Sequence, residues 1–219
     1  MKQVVKRWAV SACAGALLLG SLTACVPLII GGAAAGGSLV ATDRRTSGAQ
    51  LEDEGIELRG FSRIRSNVGE RVHVNLTSFN SQVLLTGEVP TAQDKQLVEQ
   101  LVSRVENVTA VVNELAVMGN ATLTQRSSDA LVTGRVKANL VDAPDLFANS
   151  FKVVTERGTT YLMGRVTQRE ADRGTAVVRA TSGVQKVVRI FEVISEEELT
   201  RLLPTPVKPQ AAPANPVSN

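Results

Sequence analysis

Two cysteines, one histidine, one tryptophan and one tyrosine leave this 219-residue chain short of reactive and stacking groups. Aromatic residues make up only 3% of it. An aromatic-lined cavity or a stacking platform for single-stranded nucleic acid is therefore not expected. The sole histidine, His73, stands in an alternating polar–apolar stretch, which reads as a polar strand face; no metal ligand set or cofactor is expected there. No G-x-S-x-G turn and no phosphate-cradling glycine loop follows a predicted strand, so the chain reads as a non-enzyme. Long apolar runs are also missing beyond Ala9–Gly20. A membrane-crossing helix needs roughly 20 apolar residues.

What is present begins at the N-terminus. Lys2, Lys6 and Arg7 precede the apolar run, and Leu22-Thr23-Ala24-Cys25 follows it. That is the layout of a secretory signal peptide, residues 1–24. Its ending resembles a bacterial lipobox. The resemblance implies cleavage before Cys25 and acylation of Cys25 on sulfur and on its new amino group (palmitate-type chains). Several buried acyl chains hold a protein stably to a bilayer. Val26, and not Asp, follows the cysteine, which favours the outer membrane, facing the periplasm.

Processing changes the composition. Residues 1–24 carry three bases and no acid, so the remainder holds 21 of each sign and is neutral. The precursor's pI of about 9.1 is then no sign of nucleic-acid binding. Cys13 leaves with the signal and Cys25 is capped, so no disulfide is expected despite an oxidising compartment. Residues 25–48 read as the lipidated cysteine and a glycine-rich tether with a reach of about 25–30 Å. Residues 196–219 read as a short helix and a proline-rich tail that buries little.

Between these ends the sequence repeats, with a one-residue slip in the intervening helix. Leu85, Gly87 and Val89 match Leu162, Gly164 and Val166. Val108, Val111 and Val112 match Val184, Val187 and Val188. Each copy is predicted as helix, strand, strand, helix, strand: an α+β unit with its helices on one face of a small mixed sheet. The copies span 49–118 and 127–195, with a linker at 119–126. The first helix is predicted to begin near Glu52, with Glu52-Asp53-Glu54 at the positive end of its dipole. Its apolar positions are Ile56, Leu58, Phe61, Ile64 and Val68. Thr91 is predicted to cap the next helix, and Ser128 or Asp129 the first helix of copy two. Gly87 and Gly164 are read as structural glycines needed for close helix-to-sheet packing.

The pattern Leu-x-Gly-x-Val, helix, then Gly- or Asn-Val-x-x-Val-Val resembles the BON domain. Gly183-Val184 has the usual form, and Asn107-Val108 replaces the glycine with a residue that tolerates the same left-handed backbone. With the lipobox, the arrangement is similar to dual BON-domain outer-membrane lipoproteins. That resemblance implies recognition of anionic phospholipid, phosphatidylglycerol in particular, through the second domain, and a role in outer-membrane integrity. It also leaves a rival: a protein-interaction module serving the outer-membrane assembly machinery or the cell wall, without lipid specificity.

Charge separates the copies. Ser47–Met118 holds 10 acids and 6 bases, whereas Thr124–Ser195 holds 7 acids and 11 bases. A basic domain tethered beside an anionic leaflet gains about 1 kcal/mol per cation near the surface. Leu131, Val132, Arg135 and Lys137 are the candidate lipid contacts, with Leu131 fitting either a headgroup interface or a core position. Nucleic acid is not an expected partner.

Overall fold

A computed structural model describes residues 43–202. The signal peptide, Cys25, the glycine-rich stretch and the proline-rich tail lie outside the described residues. Within them the chain folds twice into the predicted order. The first copy is α1 (Ser47–Val68), a 3-10 turn at Gly69–Arg71, β1 (His73–Phe79), β2 (Gln82–Val89), α2 (Ala92–Ser103), β3 (Ala110–Asn113) and β4 (Ala116–Val117). The second is α3 (Leu123–Val141), a 3-10 turn at Ala148–Ser150, β5 (Phe151–Glu156), β6 (Thr159–Thr167), α4 (Gln168–Arg179) and β7 (Lys186–Ile194). A short α5 (Glu196–Leu202) follows, with three glutamates in its first turn.

Both sheets are mixed. β1 pairs antiparallel with β2, and β3 and β4 pair parallel with β2. β5 pairs antiparallel with β6, and β7 runs parallel to β6 from Lys186 to Ile194. A parallel pair needs a crossover, which α2 and α4 supply. Each pair of helices covers one face of its sheet. Ile56, Ile64, Val83, Leu85, Val98 and Val102 form the core of the first copy, and Val136, Leu140, Phe151, Leu162 and Val178 that of the second.

The helices start earlier than periodicity suggests. Thr46 caps α1 by accepting from the Ala49 N–H, and Thr122 caps α3 by accepting from the Gln125 N–H. α3 therefore begins inside the stretch read as a linker. Neither Ser128 nor Asp129 is a cap, and Glu52, Asp53 and Glu54 lie beyond the first turn of α1. The two aspartates instead hold hairpins. Asp53 accepts the N–H groups of Asn80 and Ser81, and Asp129 those of Arg157 and Gly158. All four turn residues have positive φ. A buried carboxylate thus ties a strained turn to the first helix in each copy. Leu58 and Phe61, expected in the core, are 74% and 52% exposed.

Gly87 and Gly164 are structural for a different reason from the one expected. A Cβ on Gly87 would stand 2.1 Å from the His73 carbonyl oxygen, and one on Gly164 2.3 Å from that of Ser150. The neighbouring strand backbone, not a helix, fills the space. Close helix-to-sheet packing belongs to other glycines: a Cβ on Gly60 would meet Leu76, and one on Gly174 the Phe151 ring. Asn107 has φ 66°, the left-handed backbone that Gly183 adopts in the second copy.

The two sheets meet through their helix-free faces. Phe79 and Leu84 of the first pack with Tyr161, Met163 and Ile190 of the second. Polar bonds surround this contact: Asn75 donates to Glu156, Asn80 to Glu192, and Lys152 pairs with Glu57. The result is four layers, helices–sheet–sheet–helices.

Candidate functional site

α3 positions all four candidate lipid contacts. Asp129, Val132, Val136 and Leu140 recur at helical spacing and face the core. Val132 is 4% exposed, and its methyl would meet a Cβ built on Gly183, so it is a packing residue and not a surface contact. The opposite side of the helix carries Leu131 at 63% exposure, with Arg135 one turn on. Lys137 is also exposed, as are Leu123 and Val141 near the two ends. The only acid in α3, Asp129, is buried against the hairpin turn. The outward face is therefore aliphatic and cationic with no carboxylate of its own.

Pairing divides the bases of the second copy. Lys152, Arg165, Arg169, Arg173 and Arg189 are in ion pairs. Arg135 and Lys137 make none among the described residues, so their charge is available to a ligand. Lys137, Leu140 and Val141 also border a cleft of about 620 Å³, to which Phe79, Phe151, Val153, Arg45 and Lys152 contribute. This cleft runs between the copies and sits at the C-terminal end of α3.

The segment leading into α1 is held down. Arg44, 7% exposed, makes two 2.7 Å bonds to the Glu170 carboxylate and a third to the Arg165 carbonyl. Glu170 also closes the capping box of α4, accepting the Thr167 N–H. Burial pushes the Glu170 carboxyl up, but Arg44 and the Thr167 N–H outweigh it and leave it below the usual range. Arg45 binds Asp43 and Asp53 and lies over the Phe79 ring at 4.3 Å. Asp53 shows the same balance: burial raises it, and bonds from Ser78, Ser81, Arg45 and Asn80 bring it down. The part of the expected tether from Asp43 to Thr46 is thus bound, the first arginine to the second copy and the next to the first.

His73 has close acidic neighbours that no sequence spacing suggested. Its Nδ1 lies 3.0 Å from Glu88 Oε2, across the β1–β2 register, and Glu156 approaches from the second copy. Glu156 is pushed up by burial and by the Glu88 charge, against the lowering bond from Asn75. Tyr161 faces the same interface, and burial, then Glu114, push its phenol up to about 12.

A BON domain profile matches residues 62–119 and 128–195. The chain is 35% identical over 184 residues to outer membrane lipoprotein DolP of Haemophilus influenzae, covering 82% of this chain and 95% of that protein. It is 29% identical over 154 residues to the 21 kDa hemolysin of Actinobacillus pleuropneumoniae, covering 69% and 79% respectively. Among solved structures, CdsD, a structural protein of the type III secretion system of Chlamydia trachomatis, overlaps 65% of this chain and 96% of that one. Its identity is 16% and its TM-score 0.28.

Proposed function

Since this chain belongs to the BON-domain family, as a dual-domain outer-membrane lipoprotein of the DolP kind, we propose that its second domain binds anionic phospholipid through the outward face of α3. Acylated Cys25 supplies the anchor, and no helix among the described residues is long and apolar enough to cross a membrane. The observation that carries the reading is the composition of that face. Leu131 is exposed, Arg135 and Lys137 are unpaired, and the helix's one acid points inward. Such a surface suits a headgroup layer, where aliphatic groups enter the acyl boundary and cations meet phosphate. The cleft beside Lys137 offers room for a headgroup next to it.

The role is that of a binding protein, not a catalyst. Three of its buried acids, Asp53, Asp129 and Glu170, serve turns and caps, which supports a scaffold built for surface recognition. Recognition of phosphatidylglycerol directs the tethered protein to particular membrane regions and so supports outer-membrane integrity. The test uses a Cys25→Ala chain lacking residues 1–24, so that the anchor contributes nothing. It floats with phosphatidylglycerol vesicles and not with phosphatidylcholine vesicles, and NMR shifts in phosphatidylglycerol micelles cluster on Leu131, Arg135 and Lys137. Equal recovery with both vesicles overturns lipid specificity.

A second reading rests on α1 of the first domain. Leu51, Leu58 and Phe61 are exposed along one side of that helix, a surface that suits a protein partner such as the outer-membrane assembly machinery. A photo-crosslinker at Leu58 that gives one dominant protein adduct, with no flotation difference, would favour it.

A further inference from the structure

His73, Glu88 and Glu156 present donor atoms that all lie within 4.8 Å of one another. His73 and Glu88 sit opposite each other on β1 and β2, and Glu156 ends β5 of the other domain. The Glu88 side chain is fully buried, and its Oε1 has no hydrogen-bond partner. Its Oε2 accepts from the Ala121 N–H at 3.1 Å and lies 3.0 Å from the His73 imidazole. Glu156, 7% exposed, has one donor, Asn75 Nδ2, at 2.9 Å. Thr86, next on the same face of β2, also has an unpartnered buried hydroxyl.

No lysine or arginine pairs with Glu88 or Glu156 among the described residues. Every other deeply buried acid here has an arginine or two backbone N–H groups on its carboxylate, whereas Glu88 has one N–H and Glu156 none. A buried carboxylate oxygen left without a donor, as Glu88 Oε1 is, costs free energy, and two buried acids facing one imidazole concentrate negative charge at the domain junction. A protonated imidazole balances one charge and leaves the other. A divalent cation balances both.

We propose that His73, Glu88 and Glu156 form a divalent-cation site that bridges the two domains. One imidazole nitrogen and two carboxylates are a donor set for first-row ions such as Zn²⁺, above Mg²⁺ or Ca²⁺, which prefer oxygen alone. Ligands about 2.0–2.1 Å from a tetrahedral ion stand about 3.4 Å apart. The 3.0 Å separation of His73 Nδ1 and Glu88 Oε2 is close to this, so only the Glu156 side chain needs to draw in. His73 keeps 20% of its side chain exposed, which gives an ion an entry edge. The bound ion pins the first domain's sheet to the second's. This site does not depend on lipid recognition, and its test contains no anionic lipid.

The chain's single histidine is a built-in reporter. The processed, untagged lipoprotein in neutral detergent is stripped with EDTA and titrated with ZnCl₂. The His73 imidazole resonance shifts and saturates at one equivalent, calorimetry gives one Zn²⁺ per chain, and MgCl₂ produces neither effect. Glu156→Gln weakens Zn²⁺ at least tenfold, while metal-free thermal unfolding stays as in the parent or rises. An unmoved His73 signal in the unsubstituted protein overturns the site, whatever the variants do. An unchanged Zn²⁺ affinity in Glu156→Gln overturns the bridge between domains.

Discussion

The two domains share a fold but differ in their third strand and in the outer face of their leading helix. In the first, the third strand is broken into β3 and β4, because the Asn113 side chain turns back to the Leu115 N–H and Leu115 dips into the core. In the second, β7 runs nine residues in unbroken register with β6. The first domain's leading helix carries Glu52, Glu54 and Glu57 among exposed Leu51, Leu58 and Phe61; the second's carries Arg135 and Lys137 beside Leu131. The cores and hairpin-holding aspartates are alike, so duplication kept what folds the unit. It changed the outer helix face, where residues are free of packing.

The largest test of this equivalence lies in the strand glycines. Gly87→Ala and Gly164→Ala each drive a Cβ into a neighbouring carbonyl. Each should cost its own domain about 4 kcal/mol or more. Gly87, at φ 113°, should be the worse by the added cost of a left-handed backbone, about 1–3 kcal/mol. Urea unfolding followed by domain-resolved NMR signals checks both.

Next comes Arg44→Ala. Removing one partner of a buried pair leaves the Glu170 carboxylate with only the Thr167 N–H and a 3.9 Å contact to Arg169, at a cost of about 3 kcal/mol. The loss should appear in the second domain, although Arg44 precedes the first in sequence. A first-domain loss would break the assignment.

Acid should then lower both domains together. Asp53 and Glu170 are each held below the ordinary carboxylate range in the folded chain. Their contribution is complete above the unfolded value, about 4, and disappears as pH falls through the lower folded values. Melts should be level from pH 7 to about 5 and drop below about 4. A drop in only one domain would show that the two carboxylates are not equivalent.

The smallest expected effect is on binding. Arg135→Gln and Lys137→Gln should each weaken association with phosphatidylglycerol vesicles about fivefold, from about 1 kcal/mol per cation, with no change in melting. Neutralising Arg59 and Arg63 on α1 should leave association as it was.

Much of the fold was legible because strands and caps announce themselves locally. The repeat positions Leu85, Gly87 and Val89 fall in one strand, β2, and Thr91 caps the next helix as expected. The helix starts were not, because α1 opens on Ser47, Gly48, Ala49 and Gln50 and α3 opens with Leu123 in solvent, so neither start shows an apolar period. The sheet-to-sheet contact was missed although a signal existed. Val83-Leu84-Leu85 and Tyr161-Leu162-Met163 are unbroken apolar runs, which mark a strand buried on both faces. The acids around His73 had no local signal, since register and domain packing bring them together. On α3, helical spacing separates Val132 from Leu131 once one position is known to be core.

The Arg44 clamp also fixes where force enters the protein. Covalently, the lipid anchor precedes the first domain, so a pull from the membrane would be expected to peel α1. Yet the chain is riveted to the cap of α4 before it reaches α1. Tension arriving from the N-terminal side is therefore taken first by the second domain, ahead of α1.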